Sequence, residues 1–144
     1  MSINARIRQG GVLSVIMYAL MMDETNKALM ETDLGIQIPN TNTKIPCLLW
    51  MDDVVLAETN STRAQEQLNI TNHTSLKFHV DYGMAKTKYL QVGKAGTPIN
   101  LKLGEKQIDE TDKYTYIREI NNQRMNMKDK YVLLKERLKL HIKQ

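Results

Sequence analysis

The alternation of apolar and polar positions divides the chain into a small number of elements. After Gly10-Gly11, apolar residues at 13, 16, 17, 20, 21 and 28 recur at helical spacing, and a polar turn of the pattern follows Met22. This predicts a helix over 12–31, broadly apolar at first and amphipathic later. Leu34-Gly35 ends it. Ile36 and Ile38 alternate with Gln37 as in a strand, which Pro39-Asn40-Thr41-Asn42 breaks. Two apolar runs, 45–50 and 54–57, are separated only by Met51-Asp52-Asp53. They predict a tight β-hairpin with the aspartates at its turn.

Ala64, Leu68, Thr71, Ser75 and Phe78 share one face of a helix predicted over 62–78, with Thr62 and Gln65 as a capping box. A loop rich in basic residues leads to a short strand, 88–92. "LKLGEKQID" and "KYTYIRE" read as two or three further short strands. In the tail, Val132, Leu133, Leu134, Leu138, Leu140 and Ile142 are interspersed with Lys and Arg, the pattern of a basic amphipathic helix. The fold class expected is α+β. The order resembles a split βαββαβ unit that lacks its first strand.

The 144 residues are 42% hydrophobic and 25% charged, an ordinary globular composition. The net charge of +4 favours an acidic partner such as nucleic acid, mildly. Cys47 is the one cysteine, so no internal disulfide forms, and a reducing compartment, nuclear or cytoplasmic, is expected. No signal peptide is recognised, so the sequons at Asn60, Asn69 and Asn72 are read as chance. The longest apolar stretch, Val12 to Met22, is about 11 residues and too short to span a bilayer, so no membrane partner is expected.

The chemistry centres on Asp52 and Asp53. Two carboxylates ~4 Å apart repel by ~4 kcal/mol at an effective dielectric of 20. Their apolar flanks, Trp50-Met51 and Val54-Val55, imply partial burial, which raises the cost of leaving them unpaired. A hard divalent cation relieves both. Magnesium takes one or two protein carboxylates and completes its shell with water and phosphate oxygens. The bland alternative is a solvated Asp-Asp turn. Adjacent strand residues face opposite sides, so the two aspartates are unequal ligands and a further carboxylate is expected from a neighbouring strand. His73, His79 and His141 show no metal-ligand spacing, and Cys47 reads as a small buried hydrophobe.

Four blocks, in order, resemble the palm of a reverse transcriptase of non-LTR retrotransposon type. "RQGGVLS" (8–14) is similar to the glycine motif that opens a helix, and "LLWMDDVVL" (48–56) to the aromatic-x-Asp-Asp catalytic hairpin. "LKFHVDYGMAKTKYLQVG" (76–93) is similar to the helix-loop-strand that follows, and "LGEKQIDETDKYTYIREINN" (103–122) to the primer grip. The resemblance covers 6–122. It implies a partial palm over 1–93, primer-grip-like strands over 94–122, and the start of a thumb in a helix over 123–144.

The activity the resemblance implies is magnesium-dependent, RNA-templated DNA synthesis, with an RNA template, a DNA primer and deoxynucleotides as partners. Asp52 would be the main metal ligand and Asp53 an auxiliary, in a two-metal site of the complete enzyme. Gln9, Gly10, Gly11 and Ser14 would contact template and nucleotide. Lys86 would act on the leaving pyrophosphate. Tyr114 and Tyr116 would support the primer end. Arg6, Val15 and Arg118 depart from the family pattern.

The family's first catalytic aspartate and its fingers lie upstream of the matching region. A chain without them is expected to be inactive alone. Its sheet is expected to be poorly stable or completed by another polypeptide. The alternative is a non-catalytic, retroelement-derived nucleic-acid-binding or scaffold protein, with the basic tail helix carrying the contact.

Overall fold

The computed structural model describes residues 12–50, 53–92, 97–116, 119–122 and 131–137, with 12–14, 114–116, 119–122 and 131–137 as backbone only. The fold is α+β. Among the described residues two α-helices, α1 (Val12–Met30) and α2 (Ser61–Lys77), accompany eleven short strands. These are β1 (Ile36–Gln37), β2 (Lys44–Ile45), β3 (Cys47–Trp50), β4 (Asp53–Glu58), β5 (Lys88–Val92), β6 (Lys102–Leu103), β7 (Lys106–Gln107), β8 (Asp109–Glu110), β9 (Lys113–Tyr116), β10 (Glu119–Asn122) and β11 (Tyr131–Arg137).

Helix α1 buries Met21, Met22, Thr25 and Leu29, one stripe at helical spacing, while Val15, Ile16, Met17 and Leu20 on its earlier turns are exposed. Thr32 ends the helix by donating its hydroxyl to the Leu29 carbonyl and accepting from the Leu34 amide. Gly35 follows at φ +109°, a region L side chains rarely enter. Space also demands glycine here, because a Cβ would lie 2.5 Å from the Ile45 carbonyl carbon and oxygen. That close approach seats β1 against β2 in the register Ile36↔Ile45.

The start of α2 differs from the expected capping box. Asn60, in an extended conformation, is the N-cap, and its side chain accepts from the Arg63 amide at 3.0 Å. Gln65 instead brackets Lys102: its Oε1 accepts from the Lys102 amide at 2.9 Å and its Nε2 donates to the Lys102 carbonyl at 2.8 Å. The predicted buried face is present in Ala64, Leu68, Thr71 and Ser75, joined by Gln67. Gln67 Nε2 donates to the carbonyls of Pro46 and Ala57, tying the helix to β4 and to the residue just before β3.

The main sheet has the order β3-β4-β11-β5-β8. One face meets the helices: Cys47, Val54, Leu56 and Tyr89 join Met21, Leu29, Ala64 and Leu68 in a core cluster that Leu101, Leu103 and Ile108 complete. Each fully buried leucine contributes on the order of 1.5–3 kcal/mol through removal of apolar surface from water. Val55, Ala57, Leu90 and Val92 occupy the opposite face and are buried too.

The tail overturns an expectation. The segment predicted as a basic amphipathic helix contributes strand β11, antiparallel to β4 through six register pairs and to β5 through five. It stands in the gap expected between those strands, so the chain closes its own sheet. The physical reason is backbone satisfaction. Strands β4 and β5 are not neighbours in any other pairing, and each would present a row of unpaired amides and carbonyls if the gap were empty. That demand outweighs the helical preference of Leu, Lys, Glu and Arg.

Candidate functional site

The hairpin is as expected in outline. β3 and β4 pair as Cys47↔Leu56, Leu48↔Val55, Leu49↔Val54 and Trp50↔Asp53. Trp50↔Asp53 is the last pair before the connection. Asp52 lies outside the described residues. Asp53 is the first residue of β4 and half-buried.

Strand alternation assigns the faces. Cys47 and Leu49 belong to the helix-covered side, whereas Leu48 and Trp50 are exposed, Trp50 at 57%. Asp53 and Val55, opposite Trp50 and Leu48 in the register, share that second face. Across the other edge of β4, Asp53 pairs with Arg137 and Val55 with Lys135, which in turn pairs with Lys88. The row through Asp53 thus reads Trp50, Asp53, Arg137. The further carboxylate expected beside the pair is not at that position; a cationic residue type occupies it. Glu136 lies one step along, opposite Val54, on the row that faces the helices.

Lys86 closes a short 3-10 turn, Met84–Lys86, just before β5 and is exposed. The antiparallel registers bring the start of β5, the end of β11 and the start of β4 to one end of the sheet. Asp53 and Lys86 therefore belong to the same end of the sheet, with β11 standing between β4 and β5. Lys88, on the strand itself, is engaged by Asp109 at 2.5 Å.

The remaining expected site residues are not brought into this picture. Gln9, Gly10 and Gly11 lie outside the described residues. Ser14 is on the first turn of α1, and Tyr114 and Tyr116 are on β9, paired with Asn121 and Glu119. Among the described residues no group of three or more His, Cys, Asp or Glu side chains is placed to hold a metal ion. Cys47 is buried as expected. Burial pushes its thiol up to about 11, and its Sγ donates to Asn26 Oδ1 at 3.5 Å.

One charged cluster was not anticipated. Glu58, at the end of β4, is 0% exposed. Its carboxylate accepts from the Gly35 amide, the Thr59 amide at 3.0 Å and Arg63 Nε at 3.1 Å. Arg63 also donates to the Asp33 carbonyl, and Lys44 reaches the Asp33 carboxylate at 2.6 Å. The Lys44 contact, followed by the Arg63 charge, holds the Asp33 carboxyl below the usual aspartate range. The one sequence signal for this cluster is an acidic residue closing an apolar run five positions before an arginine. Its geometry is that of a clamp between the end of α1, the hairpin and the start of α2.

No family model matches the chain, and no curated protein or solved structure is significantly similar to it. Among the described residues no helix is long and apolar enough to cross a membrane.

Proposed function

We propose that the chain is part of a polymerase palm related to the reverse transcriptases of non-LTR retroelements. In a complete enzyme of this kind the hairpin would serve magnesium-dependent, RNA-templated DNA synthesis. The observation that carries the reading is the hairpin. The pair Trp50↔Asp53 closes the described hairpin, so Asp53 stands at one end of a sheet whose other face is covered by helices. Lys86, just before β5 at the same sheet end, would supply a cation to a departing pyrophosphate. Asp52 would be the principal magnesium ligand and Asp53 an auxiliary, on the chemistry of carboxylate oxygens and hard cations.

The chain alone is inactive in this reading. A two-metal displacement needs carboxylates converging from more than one strand, and the strand beside Asp53 offers Arg137 at the facing position. That same observation favours a second reading, a non-catalytic nucleic-acid-binding protein that keeps the aspartates without using them. Lys88, Lys135 and Arg137 share one face of the sheet with exposed Trp50, a combination suited to phosphates and a stacked base.

The test is primer extension on an RNA template with magnesium, alongside equilibrium binding of the primer–template duplex. In the palm reading, duplex binding strengthens with magnesium and nucleotide, and Asp52→Ala removes that increment. Binding that falls steeply with salt but ignores both magnesium and Asp52→Ala rejects the palm reading and selects the second. Extension by the chain alone, abolished by Asp52→Ala, would establish catalysis and overturn the inference of inactivity.

A further inference from the structure

We infer that β11 is an exchangeable strand, and that two copies of the chain trade it to form a closed, symmetric dimer. Tyr131–Arg137 holds the middle of the sheet, yet it follows all four of its sheet partners in the sequence. The two strands it joins are otherwise in separate pairings, β4 with β3 and β5 with β8. The body can therefore assemble its helix-covered core first and receive the segment last, between strands already in place. The hairpin β3–β4 is anchored to α2 by Gln67, and β5 to the segment before β6 by Tyr89, whose hydroxyl donates to the Ile99 carbonyl at 2.9 Å.

The segment's own chemistry makes its place conditional. "YVLLKER" is rich in strong helix formers, and the tail around it has helical periodicity. Its extended state is imposed by the two flanking strands, a conflict between local preference and tertiary context. Released, it is free to become helical. The vacated slot then exposes a row of backbone donors and acceptors on each side. The occupant that fits this slot is the same seven residues of a second copy, which restore all eleven register pairs. Reciprocal exchange costs no sheet contact and closes on itself, so it yields a dimer and not a filament.

Lys135 and Lys88 face each other in the register, and opposed antiparallel residues have Cα separations within the range a disulfide spans. In a Cys47→Ser background, Lys88→Cys and Lys135→Cys are made as separate variants and as a double variant of the full chain. The two single variants are mixed at equal concentration and oxidised. Exchange gives a heterodimer at twice the 16.6 kDa chain mass, in several-fold excess over either homodimer, and light scattering shows a reversible dimer before oxidation. The double variant must link, within one chain or across a dimer. A double variant that links only internally while the mixture gives no heterodimer overturns the inference. A heterodimer no more abundant than the homodimers marks random collision and overturns it as well. If the double variant fails to link in any form, β11 is not in the slot and the inference falls with it.

Discussion

Replacing Arg63 by alanine sets two physical effects against each other, and the structure says which prevails. Arg63 is the third residue of α2, where a positive charge opposes the helix dipole, so local reasoning makes its removal favourable by about 0.3–1 kcal/mol. The clamp points the other way. Arg63 Nε lies 3.1 Å from a Glu58 carboxylate that is 0% exposed. At an effective dielectric of 20 the attraction at that distance is about 5 kcal/mol before desolvation is subtracted. Removing one partner of a buried pair leaves the other charge uncompensated and typically costs about 3–5 kcal/mol.

The Gly35 and Thr59 amides still bond to Glu58, which puts the loss at the lower end, and the dipole term offsets a little more. Arg63→Ala should therefore destabilise by about 2–3 kcal/mol, lowering the melting temperature by roughly 5–10 °C for a chain of this size. Urea unfolding followed by circular dichroism reads the change as a lower midpoint at unchanged slope. The apolar pair Glu58→Leu with Arg63→Met should recover only part of the loss: both charges go together, but the Gly35 and Thr59 amides lose their acceptor. A neutral or stabilised Arg63→Ala would show that Glu58 does not depend on the guanidinium, and the account of the clamp would be refuted.

Other outcomes follow from single features. Gly35→Ala places a methyl group 2.5 Å from backbone atoms at φ +109° and should cost about 3 kcal/mol or more in the same urea assay. Leu68→Ala, at a 0% exposed core position, should cost about 2–5 kcal/mol; a loss under half the lower figure would mean the site collapses. The Cys47 thiol, raised to about 11 by burial, should react with a disulfide reagent at pH 8 roughly a hundredfold more slowly than in the unfolded chain, from thiolate population alone. Asp33 is held ionised below the usual aspartate range by Lys44. Its contribution to stability is present above the unfolded carboxylate pKa and is lost as pH falls through the lower folded value. A carboxyl NMR titration should show that low midpoint, and Lys44→Ala should raise it most of the way back, the Arg63 charge remaining.

What the sequence alone determined is what depends on neighbours within a turn or two. Apolar spacing placed α1 and α2 within a residue or two of their bounds, and two apolar runs around Met51-Asp52-Asp53 placed the hairpin. These signals are local, since a helix stripe and a strand alternation are set by backbone periods of 3.6 and 2. The cap of α2 was also within reach: Asn60, a strong N-cap residue, stands immediately before the helix, but the Thr62–Gln65 spacing suggested a start two residues later. Tertiary structure decided the rest. The Glu58 clamp draws on residues from three elements, and no window of sequence contains them all. The fate of 131–137 was decided by two strands more than thirty residues away. Leu, Lys, Glu and Arg favour a helix by tenths of a kcal/mol each, whereas the backbone groups lining the gap between β4 and β5 each cost about 1–3 kcal/mol if buried unpaired. The larger, non-local term made the tail a strand.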